Sequence, residues 1–283
     1  MGNLRWWCGP GSGAWDWTWQ PYAGVWLFVA LLTVAYARHL RSLPRIAGTD
    51  RRATRAQIGY FAGGVFCLWA ALDWPLGPLG AGYLASIHMV QFLLTGVTAP
   101  ALLLLALPAA TFARLDNSRR TFAVLDALVH PLPAFFLFNI VMTVTHWPTV
   151  VDVVMGTPAG SFAVDMIWLT TGLVFWWPVI CPVPSRTNFG TMHKVIYLVL
   201  NAVVIRPPFV LLLFSQFPAY RKFELAAPIP GTDALADQQF AGGLMKIGTA
   251  WLMGVGIAAL IYRYHRAQSP AGVAVETPRR DAT

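Results

Sequence analysis

Seven long apolar segments constrain the fold of this chain more than any other feature of its sequence. They lie near residues 21–38, 57–74, 82–107, 122–145, 160–180, 194–214 and 241–262. A hydrocarbon core about 30 Å thick requires roughly 20 apolar residues per helix. The runs are continuous, without the alternation of barrel strands, and a bilayer admits only helices or closed barrels. We therefore expect an all-α polytopic membrane bundle with seven transmembrane helices.

The distribution of basic residues predicts the orientation of this bundle. Six basic residues lie between residues 38 and 55, three between 114 and 120, two between 186 and 194, and four after residue 262. These fifteen of the twenty Lys and Arg residues follow the first, third, fifth and seventh segments. Short cytoplasmic loops carry an excess of Lys and Arg, so the N-terminus is expected outside and the C-terminus in the cytoplasm. The net charge of +8 thus reflects topology, and no nucleic-acid partner is indicated.

The sequences at the two ends differ from the membrane domain, which we place at residues 21–265. Residues 1–20 contain five tryptophans and no pattern of a cleavable signal, so they are expected to form an interfacial segment on the outer surface. Residues 266–283 contain Ser, Thr, Pro, Gly and charges of both signs but too little apolar content to fold, which predicts a disordered cytoplasmic tail.

Polar residues occur at the predicted outer ends of several helices. The candidate metal residues are His88, Met89, His146, Asp165, Met166 and Asp237. Ionisable groups in membranes usually face the bundle interior and mark functional sites. Imidazole and thioether ligands suit Cu(I), and carboxylates can orient the imidazoles. The alternative is structural: His can hydrogen-bond across helices, and Met fills irregular gaps in a core.

Two further clusters have structural interpretations. The run from Phe175 to Pro178 is expected to belong to an aromatic belt at the inner interface. Arg206 with its two following prolines predicts a break in the sixth helix. We expect Arg206 to be satisfied by freed carbonyls or by an acidic partner such as Asp73 or Asp165, the other interpretation being a ligand cavity.

Four motifs in order resemble the CtaG-type cytochrome c oxidase assembly factors over about residues 57 to 262. The motifs are His88-Met89-x-Gln91 followed by Leu93-Leu94 and Pro100, His146-Trp147-Pro148, Gly172-Leu173-x-Phe175-Trp176-Trp177-Pro178, and Asp237-Gln238-Gln239-x-Ala241-Gly242 with Met245. The resemblance implies a seven-helix protein of the bacterial inner membrane that matures haem–copper oxidases of the respiratory chain by serving copper insertion. Family members commonly have histidines where this chain has Phe92 and Asp165.

The favoured hypothesis is a non-enzymatic chaperone of oxidase assembly, with copper delivered from the outer, periplasmic side. Its expected partners are haem–copper oxidase subunits or another membrane complex within the lipid bilayer. One alternative is a permanent accessory subunit of a respiratory or other membrane metalloenzyme complex. A haem-binding redox protein, using His88 and His146, is less favoured, because no histidine pair is spaced along one helix for two stacked haems. A transporter built around Arg206 is a further alternative, but the chain shows no internal repeat. No nucleophile elbow, phosphate loop or zincin motif indicates an enzyme.

Overall fold

The fold is helical throughout the part of the chain that the structure describes. The computed structural model describes residues 5–9, 11, 13–43, 53–108, 110–112, 127–181, 189–204 and 206–268, and these contain no strand. The helices are α1 Ala23–Ser42, α2 Arg55–Leu72, α3 Leu76–Gly82, α4 Ala85–Phe92, α5 Ala99–Leu105, α6 Pro131–Thr145, α7 Pro158–Ile180, α8 Thr191–Val203, α9 Pro207–Phe214, α10 Arg221–Glu224 and α11 Ala234–Gln268. Two π-helical turns, Leu93–Thr98 and Val150–Val154, complete the regular structure. The all-α prediction is confirmed for these residues.

Five helical units are long and apolar enough to cross a membrane. They are Ala23–Ser42, Ala85–Leu105, Pro158–Ile180, Thr191–Phe214 and Ala234–Gln268. The other two predicted segments correspond to α2, which has 18 residues, and to α6, an apolar helix of 15 residues. Residues 113–126 lie outside the described residues, and they include the first part, 122–126, of the predicted segment 122–145. The helices are therefore those of a membrane protein, with five spans supported by length and composition.

The third predicted segment is one helical unit that changes its hydrogen bonding near Pro100. Pro100 has no N–H, so the helical bond to the carbonyl four residues earlier, that of Gly96, cannot form. The π-helical turn Leu93–Thr98 lies directly before this position. α7 packs closely here: a Cβ on Gly172 would collide with the Gly96 carbonyl oxygen, and Trp176 Nε1 donates to the Val97 carbonyl at 2.9 Å. The glycine thus permits a direct contact between the two backbones.

The sixth segment is broken between α8 and α9, as the Arg-Pro-Pro sequence predicts. The last four carbonyls of a helix have no partner within the helix, which is costly inside a membrane. The Lys246 ammonium of α11 contacts three of these oxygens at 2.7–3.1 Å, those of Ala202, Val203 and Val204. The Arg206 guanidinium donates to the Asn201 carbonyl at 3.4 Å. Two cations therefore cap the end of α8.

Side-chain amides complete the environment of Arg206. Its guanidinium donates to the Asn139 and Asn201 side-chain oxygens, each at 2.9 Å. The prediction of freed carbonyls is confirmed. The alternative prediction of an acidic partner is wrong, because Asp73 accepts from the Trp26 indole and Asp165 accepts from the Trp7 indole, each at 2.8 Å.

The interior of the bundle forms around α4, α7 and α11. α11 packs against α4, α8 and α9, and α7 packs against α5, α6 and the π-helical turn Leu93–Thr98. α1 packs mainly on α2 and has a single buried residue, Val25. Met89, Met142, Met155 and Met245 lie in one large buried cluster.

Some aromatic residues at both ends of the bundle are more deeply buried than the sequence predicts. Trp17 is 70% exposed, as expected for an interfacial segment, but Trp7 is only 1% exposed and packs with Tyr22 and Cys8. Phe175 and Trp176 are buried in the core, so the aromatic-belt prediction is wrong for them. Their rings pack between helices because α7 has neighbours on several sides. Residues 269–283 of the predicted tail lie outside the described residues, and α11 continues to Gln268.

Candidate functional site

His88 lies on α4 and is completely buried. Neither of its ring nitrogens has a hydrogen-bond partner among the described residues. Gln91, one turn further on, donates instead to the carbonyls of Ala71 and Gly77 at 2.9 and 3.1 Å. A buried polar group without a partner is costly, so an imidazole with two such nitrogens points to a missing ligand.

His146 ends α6 and is also completely buried. Its Nδ1 lies 2.9 Å from the Met142 carbonyl oxygen, an acceptor, so Nδ1 carries the proton. This arrangement leaves a lone pair on Nε2, which has no partner among the described residues. Burial lowers the pKa of His146 to about 4, so the imidazole is neutral at pH 7. His146 therefore presents one free nitrogen of the kind that binds metals.

The structure brings these two histidines together. Their ring centroids are 5.7 Å apart. Two metal–nitrogen bonds of about 2 Å, together with the ring radii, separate imidazole centroids by about 6 Å, so the spacing fits an ion held between them. Met89, the candidate residue that follows His88 in the sequence, is also fully buried. Its thioether belongs to the large buried cluster described above.

Aromatic rings surround the histidine pair. The Trp168 ring stacks on His146 at 5.2 Å and lies 5.3 Å from His88, and its Nε1 donates to the Thr145 hydroxyl at 2.9 Å. Phe92 meets His146 edge-on at 5.1 Å. The position where the family resemblance led us to expect a second histidine is thus occupied by a ring that contacts His146. The environment is apolar and excludes water from the pair.

Asp165 and Met166 lie in a different set of contacts. The Asp165 carboxylate accepts the Trp7 indole N–H at 2.8 Å, which links α7 to the N-terminal segment. Met166 packs against the buried cluster that contains Trp7 and Tyr22. The structure therefore does not bring these two candidates to the histidine pair.

Asp237 caps the helix that carries His88. Its carboxylate accepts the backbone N–H groups of Ala85 and Ser86 at 2.6 and 3.3 Å. Those groups belong to the first turn of α4, where a negative charge also interacts favourably with the helix dipole. Within the described ranges, no three His, Cys, Asp or Glu side chains form a group that could hold a metal ion. Any site here depends on the two imidazoles and on thioether sulfur.

The sequence did not single out the segment that covers the histidine pair. Phe223 of α10 lies 5.9 Å from the His88 ring, and the Tyr220 hydroxyl donates to the His146 carbonyl at 2.8 Å. The backbone N–H groups of Arg221 and Lys222 contact the Asp152 carboxylate at 3.3 and 3.0 Å. The only sequence signal was the charged and aromatic run from Tyr220 to Glu224, which lies between two apolar segments.

Lys222 adds a positive charge near this cover. Its ammonium donates to the Met155 carbonyl at 2.8 Å and lies 5.7 Å from the centre of the Phe223 ring. Burial lowers the pKa of Lys222 to about 8, while the carboxylates of Asp152 and Asp165 act in the opposite direction. The carbonyl that binds the Lys222 ammonium belongs to Met155, the residue that follows the π-helical turn Val150–Val154.

One protein family matches most of the chain. The model of the cytochrome c oxidase caa3 assembly factor family matches residues 34–267, which include α2 to α10 and all but the last residue of α11. No curated protein and no solved structure gives a match. The resemblance carried by the four motifs is confirmed, and the chain belongs to the cytochrome c oxidase caa3 assembly factor family.

Proposed function

We propose that this chain helps to mature a haem–copper cytochrome c oxidase by holding one Cu(I) ion between His88 and His146 before the ion passes to the oxidase. Family membership supports the role in oxidase biogenesis. The observation that carries the copper step is the buried pair of imidazoles, 5.7 Å apart, with three ring nitrogens that have no partner among the described residues.

The chemistry of the pair suits a transported ion better than a permanently bound one. Neutral imidazole and thioether sulfur are ligands for Cu(I), and Cu(I) accepts a small number of ligands. A shell of two imidazoles holds the ion less tightly than a full set of histidines. Phe92 and Asp165 replace the histidines common in the family, so an ion bound here can leave more readily.

The proposed topology has seven spans with the N-terminus outside. α2 and α6 complete the five longer units, and the fifteen basic residues described above then lie on the cytoplasmic side of a bacterial inner membrane. The histidine pair consequently lies near the periplasmic side. This is the side from which we propose that copper reaches the oxidase.

Metal binding by purified protein tests the copper step. Ag(I) is a redox-inert analogue of Cu(I), so the detergent-solubilised chain is titrated with Ag(I) and its bound metal is measured. We expect one ion per chain, and at least a tenfold loss of affinity in His88→Ala and His146→Ala. The control is His193→Ala, which removes an exposed histidine of α8. Equal binding by all four proteins would contradict the proposal.

Oxidase maturation in cells tests the biological role. In a strain that lacks the chain, the wild-type protein should restore the copper content of the oxidase, and His88→Ala should restore it less well. Recovery of the mature oxidase with this chain in equal amounts would instead favour a permanent accessory subunit. A Soret absorption band in the purified protein would favour the haem-binding alternative.

A further inference from the structure

A small cavity lies next to the histidine pair, on the far side of one aromatic ring. Its volume is about 70 Å³, and it lies between α10 and the beginning of α11. Phe223, Glu224, Asp233 and Asp237 are among its lining residues. This volume is large enough for a few water molecules or a hydrated small ion.

The Phe223 ring separates this cavity from His88. The side chain is 6% exposed, lines the cavity and lies 5.9 Å from the His88 ring centre. His88 itself is completely buried, with both ring nitrogens free of partners among the described residues. Phe223 is therefore shared by the lining of the cavity and the surroundings of the unpartnered imidazole.

The charges around the cavity favour a cation. Glu224, Asp233 and Asp237 contribute three carboxylates to its lining. The Asp237 carboxylate is fixed by the N–H groups of α4, and Asp233 accepts the Ala236 N–H at 2.9 Å, so both negative charges have defined positions. Lys222 of α10 does not line the cavity, and its ammonium donates to the Met155 carbonyl. Fixed negative charges at a small opening raise the local concentration of cations and their rate of binding.

The hydrogen bonds that attach α10 to its neighbours do not involve the Phe223 side chain. The helix has only four residues, and its contacts to Asp152 and to the His146 carbonyl involve residues 220–222. Phe223 and Glu224 follow these anchored positions and face the cavity. A movement of the Phe223 side chain would therefore break none of these hydrogen bonds.

We infer that this cavity, lined by Phe223, Glu224, Asp233 and Asp237, is the access site for a soft monovalent cation, and that Phe223 must move aside to admit the cation to His88 and His146. The inference rests on the proposed function, since it supplies the route to the proposed copper site. It also assigns separate roles: the carboxylates attract the ion, the aromatic ring controls its rate of passage, and the imidazoles hold it.

The rate of Ag(I) uptake by the full chain in detergent tests this route. Uptake is stopped at set times with a chelator that strips loosely bound ions, and the retained silver is measured. We expect Phe223→Ala to take up Ag(I) at least tenfold faster than wild type and Phe223→Trp to take it up more slowly. The control is Phe217→Ala, which removes an exposed ring from the segment between α9 and α10 and should leave the uptake rate unchanged.

A variant that neutralises one carboxylate tests whether the carboxylates attract the ion, and it does so without disturbing the core. Glu224 is exposed, so Glu224→Gln should fold normally and should lower the uptake rate about two- to fivefold at low salt, with a smaller effect at high salt. The control is Asp16→Asn, which removes an exposed carboxylate from the N-terminal segment. Histidine-dependent binding with rates that ignore both Phe223 and Glu224 would overturn the route and leave the proposed function intact. Absence of histidine-dependent binding would overturn both.

Discussion

The carboxylate of Asp237 provides the most discriminating test of how the histidine pair is built. Its sequence position made it a candidate metal residue, whereas the structure shows it bound to the N–H groups of Ala85 and Ser86 at 2.6 and 3.3 Å. These residues form the first turn of the helix that carries His88. If Asp237 acts as a cap, its removal should destabilise α4 without removing a ligand from the metal.

The expected loss of stability follows from the cap and the helix dipole. Replacing an N-terminal cap by Ala costs about 0.5–2 kcal/mol, and loss of the favourable charge adds about 0.3–1 kcal/mol. We therefore expect Asp237→Ala to lower the free energy of unfolding by about 1–3 kcal/mol, and Asp237→Asn, which keeps an oxygen acceptor, by about 1 kcal/mol or less. At about 2–4 °C per kcal/mol, the Ala variant should melt roughly 2–12 °C below wild type.

Two measurements on the same samples separate a cap from a ligand. Tryptophan fluorescence during heating in detergent gives the melting temperature, and equilibrium titration with Ag(I) gives the affinity. Asp237→Asn should keep the wild-type affinity within a factor of about three, since its imidazoles remain in place. The reasoning is refuted if Asp237→Asn melts like wild type but loses Ag(I) binding, because the carboxylate would then be a ligand.

Substitutions at three further positions, one with a matched control, test other features of the structure. Gly172→Ala should lower stability by about 1–3 kcal/mol or more, since its methyl group would meet the Gly96 carbonyl, whereas Gly243→Ala, with open space around it, should raise the melting temperature slightly. Trp7→Phe should cost about 1.5–3 kcal/mol in thermal unfolding, because it leaves a buried carboxylate without its donor. The pKa of Lys222 is about 8 when folded and 10.5 when unfolded, so wild-type stability relative to Lys222→Met should rise between pH 8 and 10.5, by up to about 3 kcal/mol. A pH-independent difference in melting temperature would contradict this last prediction.

The sequence predicts the fold where local composition alone determines it. The segment 160–180 corresponds to α7, Pro158–Ile180, because the length of an apolar run sets the length of a membrane helix. The break at Arg206 is also predictable, since two prolines remove backbone donors. The π-helical turn Leu93–Thr98 was not predicted: Pro100 marks where the hydrogen bonding changes, but the sequence does not show that α7 packs against Gly96 and Val97 here. That contact joins residues about 80 positions apart.

The candidate site shows a similar division. Counting along each helix placed His88 and His146 at one depth, and the structure brings their rings together. The same reasoning placed Asp165 at this depth, but its carboxylate accepts a hydrogen bond from Trp7 instead. Depth follows from the position of a residue within its span, but the direction in which a side chain points depends on which helices are neighbours. The sequence did not indicate that an N-terminal tryptophan would reach α7.

The capping of α8 by Lys246 has a consequence for how the chain enters the membrane. The segment Thr191–Phe214 exposes carbonyls at its break, and three of them are bound by an ammonium from Ala234–Gln268. During synthesis Thr191–Phe214 leaves the ribosome before Lys246 has been made. Its free carbonyls therefore lack these bonds when the segment reaches the translocon. We therefore expect the two segments to partition into lipid as a pair. Truncation before Lys246 should leave Thr191–Phe214 poorly inserted even though its own sequence is strongly apolar.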